Sequence, residues 1–132
     1  MLVIALALAL GGPDAGAKKG PRKRGYRTTV TLVQASSTRF TGTVGSKLGA
    51  CVGRRLVRLY YTDPITLQTH PLWAQRTGGK GKFEVDLPQP ASTGSYHANV
   101  DQRTVRAKGA KQNCKAAQGR SIAVVGLPAT PP

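Results

Sequence analysis

From about Thr28 onward, apolar and polar side chains alternate in short runs separated by glycine, proline and small polar residues. The clearest run is Lys82–Leu87, with Phe83, Val85 and Leu87 on one side and Lys82, Glu84 and Asp86 on the other. In Ser95 to about Arg103, Tyr96, Ala98 and Val100 oppose His97, Asn99 and Asp101. Arg39–Ser46 sets Phe40, Gly42 and Val44 against Arg39, Thr41 and Thr43, and Leu56–Thr62 lines up Val57, Leu59 and Tyr61. Thr28–Gln34, Leu72–Thr77 and Ser121–Val125 complete seven runs. A period of two is that of a strand with one buried face. No segment has a 3.6-residue period and none repeats. Turn residues at roughly 8–12-residue intervals predict an antiparallel, all-β domain of seven strands.

The turns sharpen this picture. Gly78, Gly79 and Gly81 predict a hairpin needing positive φ. They also resemble a phosphate loop, but such a loop leads into a helix, and a strand follows here. Pro88 and Pro90 end the fifth strand and turn the chain. Tyr96, opening the sixth strand, is placed to bond back across that corner, as tyrosines do in β-sandwiches.

The chain has 132 residues, 39% of them apolar, with one Trp, four Tyr and two Phe. The core must therefore come mainly from Val, Leu, Ile and Ala. Leu2–Leu10 is an unbroken apolar run, too short to span a bilayer, which takes about 20 residues. With Ala15-Gly16-Ala17 after it, residues 1–17 read as a signal peptide cut before Lys18, although no cation precedes the run. The alternative is a buried N-terminal strand. No second apolar run suggests a transmembrane segment. Residues 18–27, with Lys18, Lys19, Arg22, Lys23, Arg24 and Arg27, read as a disordered basic arm. The β domain then covers 28–126, and 127–132 is a proline-rich tail. Its LPAT resembles a sortase-type wall signal, but Pro131 stands where that signal has Gly and no apolar tail follows.

Two cysteines without CxxC spacing fit a structural disulfide, Cys51–Cys114, in an oxidising compartment. It would close a loop of about 64 residues, worth on the order of 4 kcal/mol by chain entropy. The alternative is two buried thiols.

GKFEVDLPQPASTGSYHANV resembles the end of the Ig-like, carboxypeptidase-regulatory-like or prealbumin-like β-sandwich modules of secreted bacterial proteins. FTGTVGSKLGACVGRRLVRLYY is similar to their upstream strands, and NCKAAQGRSIAVV to a late cysteine-bearing strand. The resemblance covers roughly Arg39–Val125. It implies a seven-stranded Ig-like or prealbumin-like sandwich, secreted or on a bacterial cell surface. It implies nothing specific about activity, because such modules mostly serve as spacers, adhesion units or binding domains. In antibody-type domains the disulfide bridges two strands, whereas here both cysteines are expected in loops.

Candidate chemistry is sparse. After residue 17 there are two histidines, His70 and His97, and four acids, Asp63, Glu84, Asp86 and Asp101. His97 and Asp101, four residues apart on a strand, would be separated by about 13 Å, beyond direct hydrogen bonding. There is no GxSxG elbow, no clustered His/Cys set for zinc and no calcium loop. The sequence therefore predicts a non-enzyme without a metal or other cofactor. A hydrolase site assembled only by the fold remains an alternative.

Charge is the most informative feature. The formal net charge is +15, and losing Asp14 with residues 1–17 would raise it by one. With Ig-like strand order, the loops after strands two, four and six share one end. They carry Lys47, Arg54, Arg55, Lys80, Arg106, Lys108, Lys111, Lys115 and Arg120 and no acid, and the basic arm enters beside them. The expected partner is a polyanion such as an anionic cell-wall polymer, a glycan, a phospholipid surface or extracellular nucleic acid. Phosphate binding by many cations is little sequence-specific, which argues against sequence-specific nucleic-acid binding, and with only Tyr26 beside the cations the stacking platforms of dedicated single-strand recognition are lacking. The alternative is a spacer whose basic surface is only compositional.

Overall fold

The structure, a computed structural model, describes residues 25–126. It is all-β. The elements are β1 (Gly25–Tyr26), β2 (Thr28–Ser36), β3 (Arg39–Ser46), a 3-10 turn (Gly49–Cys51), β4 (Leu56–Thr62), β5 (Thr69–Arg76), β6 (Lys82–Asp86), β7 (Gly94–Val100), β8 (Arg103–Ala107), β9 (Ala110–Cys114), β10 (Ala117–Gln118) and β11 (Ile122–Val124). One antiparallel sheet has the order β2-β3-β6. A second has the order β10-β7-β4-β5, with β11 also pairing β7.

The apolar faces of these two sheets meet in one core. Val30, Leu32, Phe40, Val44, Phe83 and Val85 come from the first sheet; Val57, Leu59, Tyr96, Ala98, Val100 and Val124 come from the second. These are the inward positions of the period-two pattern. Gly42 is the one inward position without a side chain. The Phe83 ring fills that space from the paired residue of β6, so even a Cβ on Gly42 would collide with it. Tyr96 packs against Phe40 and Tyr61, with ring centroids 4.9 and 5.1 Å apart. Its hydroxyl donates to the Ser92 carbonyl at 2.9 Å, the tyrosine-corner bond that the sequence predicts.

Several expectations are corrected. Among the described residues the strand count is eleven, because the segment after β7 is not a loop. There β8 and β9 form a hairpin whose two turn residues, Lys108 and Gly109, both hold positive φ (54° and 76°). Such a two-residue turn matches the twist of the flanking strands. Gly25–Tyr26 is not part of a disordered arm: it pairs in parallel with Asn113–Cys114 of β9, completing a small third sheet, β1-β9-β8. The last expected strand, Ser121–Val125, is found as β11, while β10 is a further short strand in the segment read as a loop; between the two, Gly119 donates to the Ala98 carbonyl at 2.8 Å and crosses close to Val30.

The glycine turn Gly78–Gly81 closes no hairpin, since β5 and β6 lie in different sheets. It carries the chain across the sandwich, and only Gly81 there needs positive φ (80°). Its carbonyl accepts from the Val44 amide at 2.8 Å, which pins the crossing to β3. The fourth expected strand also begins earlier, at Thr69, running through Pro71. A proline is tolerated there because β5 is an edge strand.

Candidate anion-binding surface

The segments after β3, β5 and β7 converge at one end. The Arg54 amide donates to the Gly78 carbonyl (3.2 Å), joining the first two. Cys51 and Cys114 form a disulfide, joining the first to the third. Cys51 closes the 3-10 turn in the β3–β4 connection, a loop position as expected, whereas Cys114 ends β9, so the expectation of a loop cysteine is corrected for Cys114. Together with Leu48 they form a second small core, against which Tyr26, Val105 and Ala107 pack.

Arg55 holds this end together from inside. Its side chain is fully buried. Nη1 donates to the Thr28 hydroxyl (3.1 Å) and the Cys51 carbonyl (2.6 Å); Nη2 donates to the carbonyls of Asp101 (2.8 Å) and Lys115 (3.1 Å). One guanidinium thus ties the start of β2, the 3-10 turn, the end of β7 and the exit of β9. Among the described residues no carboxylate contacts it. Burial, with Arg103 nearby, pushes its pKa below the ordinary arginine value, and Asp101 opposes this. Its expected role in external anion binding is corrected: Nη1 and Nη2 are spent on protein oxygens, Nε is buried without a partner, and the whole guanidinium is out of reach of solvent.

The remaining predicted cations divide clearly. Lys47, Arg54, Lys80, Arg106, Lys108, Lys111 and Lys115 are exposed around this end. Arg106, Lys108 and Lys111 ride on the β8–β9 hairpin. Lys108 Nζ lies 6.0 Å from the Tyr26 ring centroid, and Tyr26 itself is half-buried against the disulfide. Arg27 is exposed at the start of β2, beside Lys47. Arg120 is exposed but elsewhere: it sits between Gln118, level with Asn99, and Ile122, level with Tyr96, so it flanks the middle of β7. Lys18, Lys19, Arg22, Lys23 and Arg24 lie outside the described residues.

Sequence reasoning missed Arg76 and Arg103, which end β5 and begin β8 and were assigned to strands rather than to the basic end. Both donate to the Arg54 carbonyl, at 3.2 and 2.9 Å. The available signal was position: each lies at a strand terminus next to a predicted basic loop.

Each described carboxylate is already occupied. Arg39 holds Asp86 (2.7 Å) and Glu84 (3.6 Å) on the outer face of β3 and β6. Arg58 holds Asp101 (3.2 Å). Asp63, at the opposite end, accepts from the Ile65 and Thr66 amides (2.7 and 3.1 Å), and these bonds hold its pKa below the usual carboxylate range. Among the described residues, the cations of the basic end therefore have no carboxylate partner of their own.

His97 stacks on Tyr60 (5.2 Å between centroids), and burial depresses its pKa. Among the described residues no three His, Cys, Asp or Glu side chains gather as a metal site, and no helix is long and apolar enough to cross a membrane. No protein-family model matches the chain, and no curated protein matches it.

Proposed function

We propose that this chain is a secreted or cell-surface, Ig-like interaction module, not an enzyme, that attaches to anionic polymers through its basic end. The supporting observation is the separation of charge: the acids are neutralised locally or sit at the far end, while the exposed cations around the disulfide are uncompensated. Such a field attracts polyanions over about a Debye length and makes binding salt-dependent. The disulfide supports an oxidising, extracellular setting. The order β2-β3-β6 opposite β5-β4-β7 supports an Ig-like arrangement.

A spacer role is the second reading. It is favoured by the ends of the described chain: Tyr26 lies at the basic end, while Gly126 bonds to Thr93 near the opposite end, as units joined in series require.

Heparin affinity chromatography of the full chain separates the readings. The binding module elutes at elevated salt, the triple variant Lys108→Glu, Lys111→Glu, Lys115→Glu much earlier, and Ile65→Ser with Leu67→Ser at the far end unchanged. A spacer flows through in all three forms.

A further inference from the structure

Arg54, Leu56, Arg76, Asp101, Gln102 and Arg103 line a cleft of about 430 Å³ at the basic end. Arg76 Nη1 and Arg103 Nη1 share a single acceptor, the Arg54 carbonyl. The two guanidinia are thus separated by no more than the two bond lengths added together. Each guanidinium has five N–H donors. Apart from a long contact from Arg103 to the Gly53 carbonyl (3.4 Å), no other described protein atom takes theirs. Arg54 itself holds φ 55° at the end of its turn, a conformation uncommon for a residue with a Cβ. Beneath the cleft is the buried Arg55, which has no carboxylate of its own. The only acid in the lining, Asp101, is engaged by Arg58 through both carboxylate oxygens (3.2 and 3.5 Å).

Like charges crowded together with spare donors form a receptor for an anion with several oxygens. Guanidinium forks match tetrahedral oxyanions in pairs, which lysine ammonium groups do not. Resting on the polyanion reading above, we propose that this cleft is its specific subsite: it takes one phosphate or sulfate ester of the polymer between Arg76 and Arg103. The hairpin lysines Lys108 and Lys111 then add only diffuse attraction.

The test uses the full chain. Inorganic sulfate and inorganic phosphate are titrated while the arginine Nε–Hε NMR signals are followed. Binding of a size-defined heparin oligosaccharide and of a single-stranded DNA oligomer is then measured at fixed salt. The subsite predicts saturable shifts of Arg76 and Arg103. It also predicts about a tenfold affinity loss in Arg76→Gln/Arg103→Gln, as expected for losing charge-assisted hydrogen bonds. Arg76→Lys/Arg103→Lys keeps the charge and guards against misfolding; it should keep the salt dependence yet lose most of that tenfold. Lys108→Gln/Lys111→Gln should keep the saturable shifts. Asp101→Asn should bind tighter, because a like charge leaves the lining. Stronger binding of heparin assigns a sulfate ester, and stronger binding of DNA a phosphate.

The subsite is overturned if the polymers bind but the ions shift no arginine signal, or if the double glutamine variant binds as the parent does. The polyanion reading then survives as a diffuse surface. If neither polymer nor ion binds, both fail.

Discussion

The two ends of the sandwich are built in opposite ways. At the basic end, backbone segments are joined by a disulfide and by a buried guanidinium donating to four oxygens, with a small third sheet laid over them. At the far end, one carboxylate, Asp63, caps the β4–β5 turn and a tyrosine hydroxyl closes the proline corner. The far end exposes apolar side chains, with Ile65 88% and Leu67 73% accessible. Positive charge repels itself, so an end crowded with cations cannot rely on attraction between its segments. It is held instead by a covalent bond and by neutral carbonyls, leaving the outer cations without partners.

This contrast can be broken from either side. The largest effect is expected from removing the disulfide. Cys51→Ala/Cys114→Ala frees a sequence separation of 63 residues and should cost about 4 kcal/mol in urea unfolding by the chain-entropy account. Next is Arg55→Leu, which strips donors from the Thr28 hydroxyl and from three carbonyls. Leaving buried acceptors unpaired should cost about 3 kcal/mol, read in the same unfolding experiment. A loss under about 1 kcal/mol would mean that Arg55 is not the internal tie.

Tyr96→Phe at the far end removes one bond to a backbone carbonyl. It should cost only about 1 kcal/mol and leave heparin elution unchanged.

The smallest effect is the pH dependence of His97. Burial depresses its folded pKa below the ordinary value of 6.5, so the unfolded chain binds a proton first on acidification. Its stabilising contribution is full above pH 6.5 and declines as pH falls from 6.5 toward the depressed value. Thermal melts between neutral pH and about pH 5 should show this slope, and His97→Gln should flatten it.

Much of this architecture was legible in the sequence. The alternation of Phe83/Val85, Tyr96/Ala98/Val100 and Val57/Leu59 identified the core, because one-sided burial writes a period of two directly into composition. The cysteine pairing and the Tyr96 corner were legible for similar local reasons. The β8–β9 hairpin was not, because its strands bear charged residues on the exposed face and its inward side carries only a few small or mixed residues, Val105, Ala107, Gln112 and Cys114. Lys108-Gly109 was the overlooked turn signal. Arg55 read as one more loop cation beside Arg54. Only tertiary structure separates the two, since burial depends on where Thr28, Asp101 and Lys115 come together. The same holds for Arg76 and Arg103, which are 27 positions apart in sequence and meet at one carbonyl.

The most direct test of the central claim, that the basic end is an uncompensated anion-binding surface, is a salt series. The dissociation constant of the full chain for a duplex DNA oligomer, used as a linear array of phosphates, is measured against salt concentration. The account predicts a steep linear fall of log affinity with log salt. In Lys108→Glu/Lys111→Glu/Lys115→Glu the slope should shrink by about 3, at roughly 0.9 for each phosphate left without its cation. Binding too weak to measure at moderate salt, or a slope indifferent to the three substitutions, would contradict it.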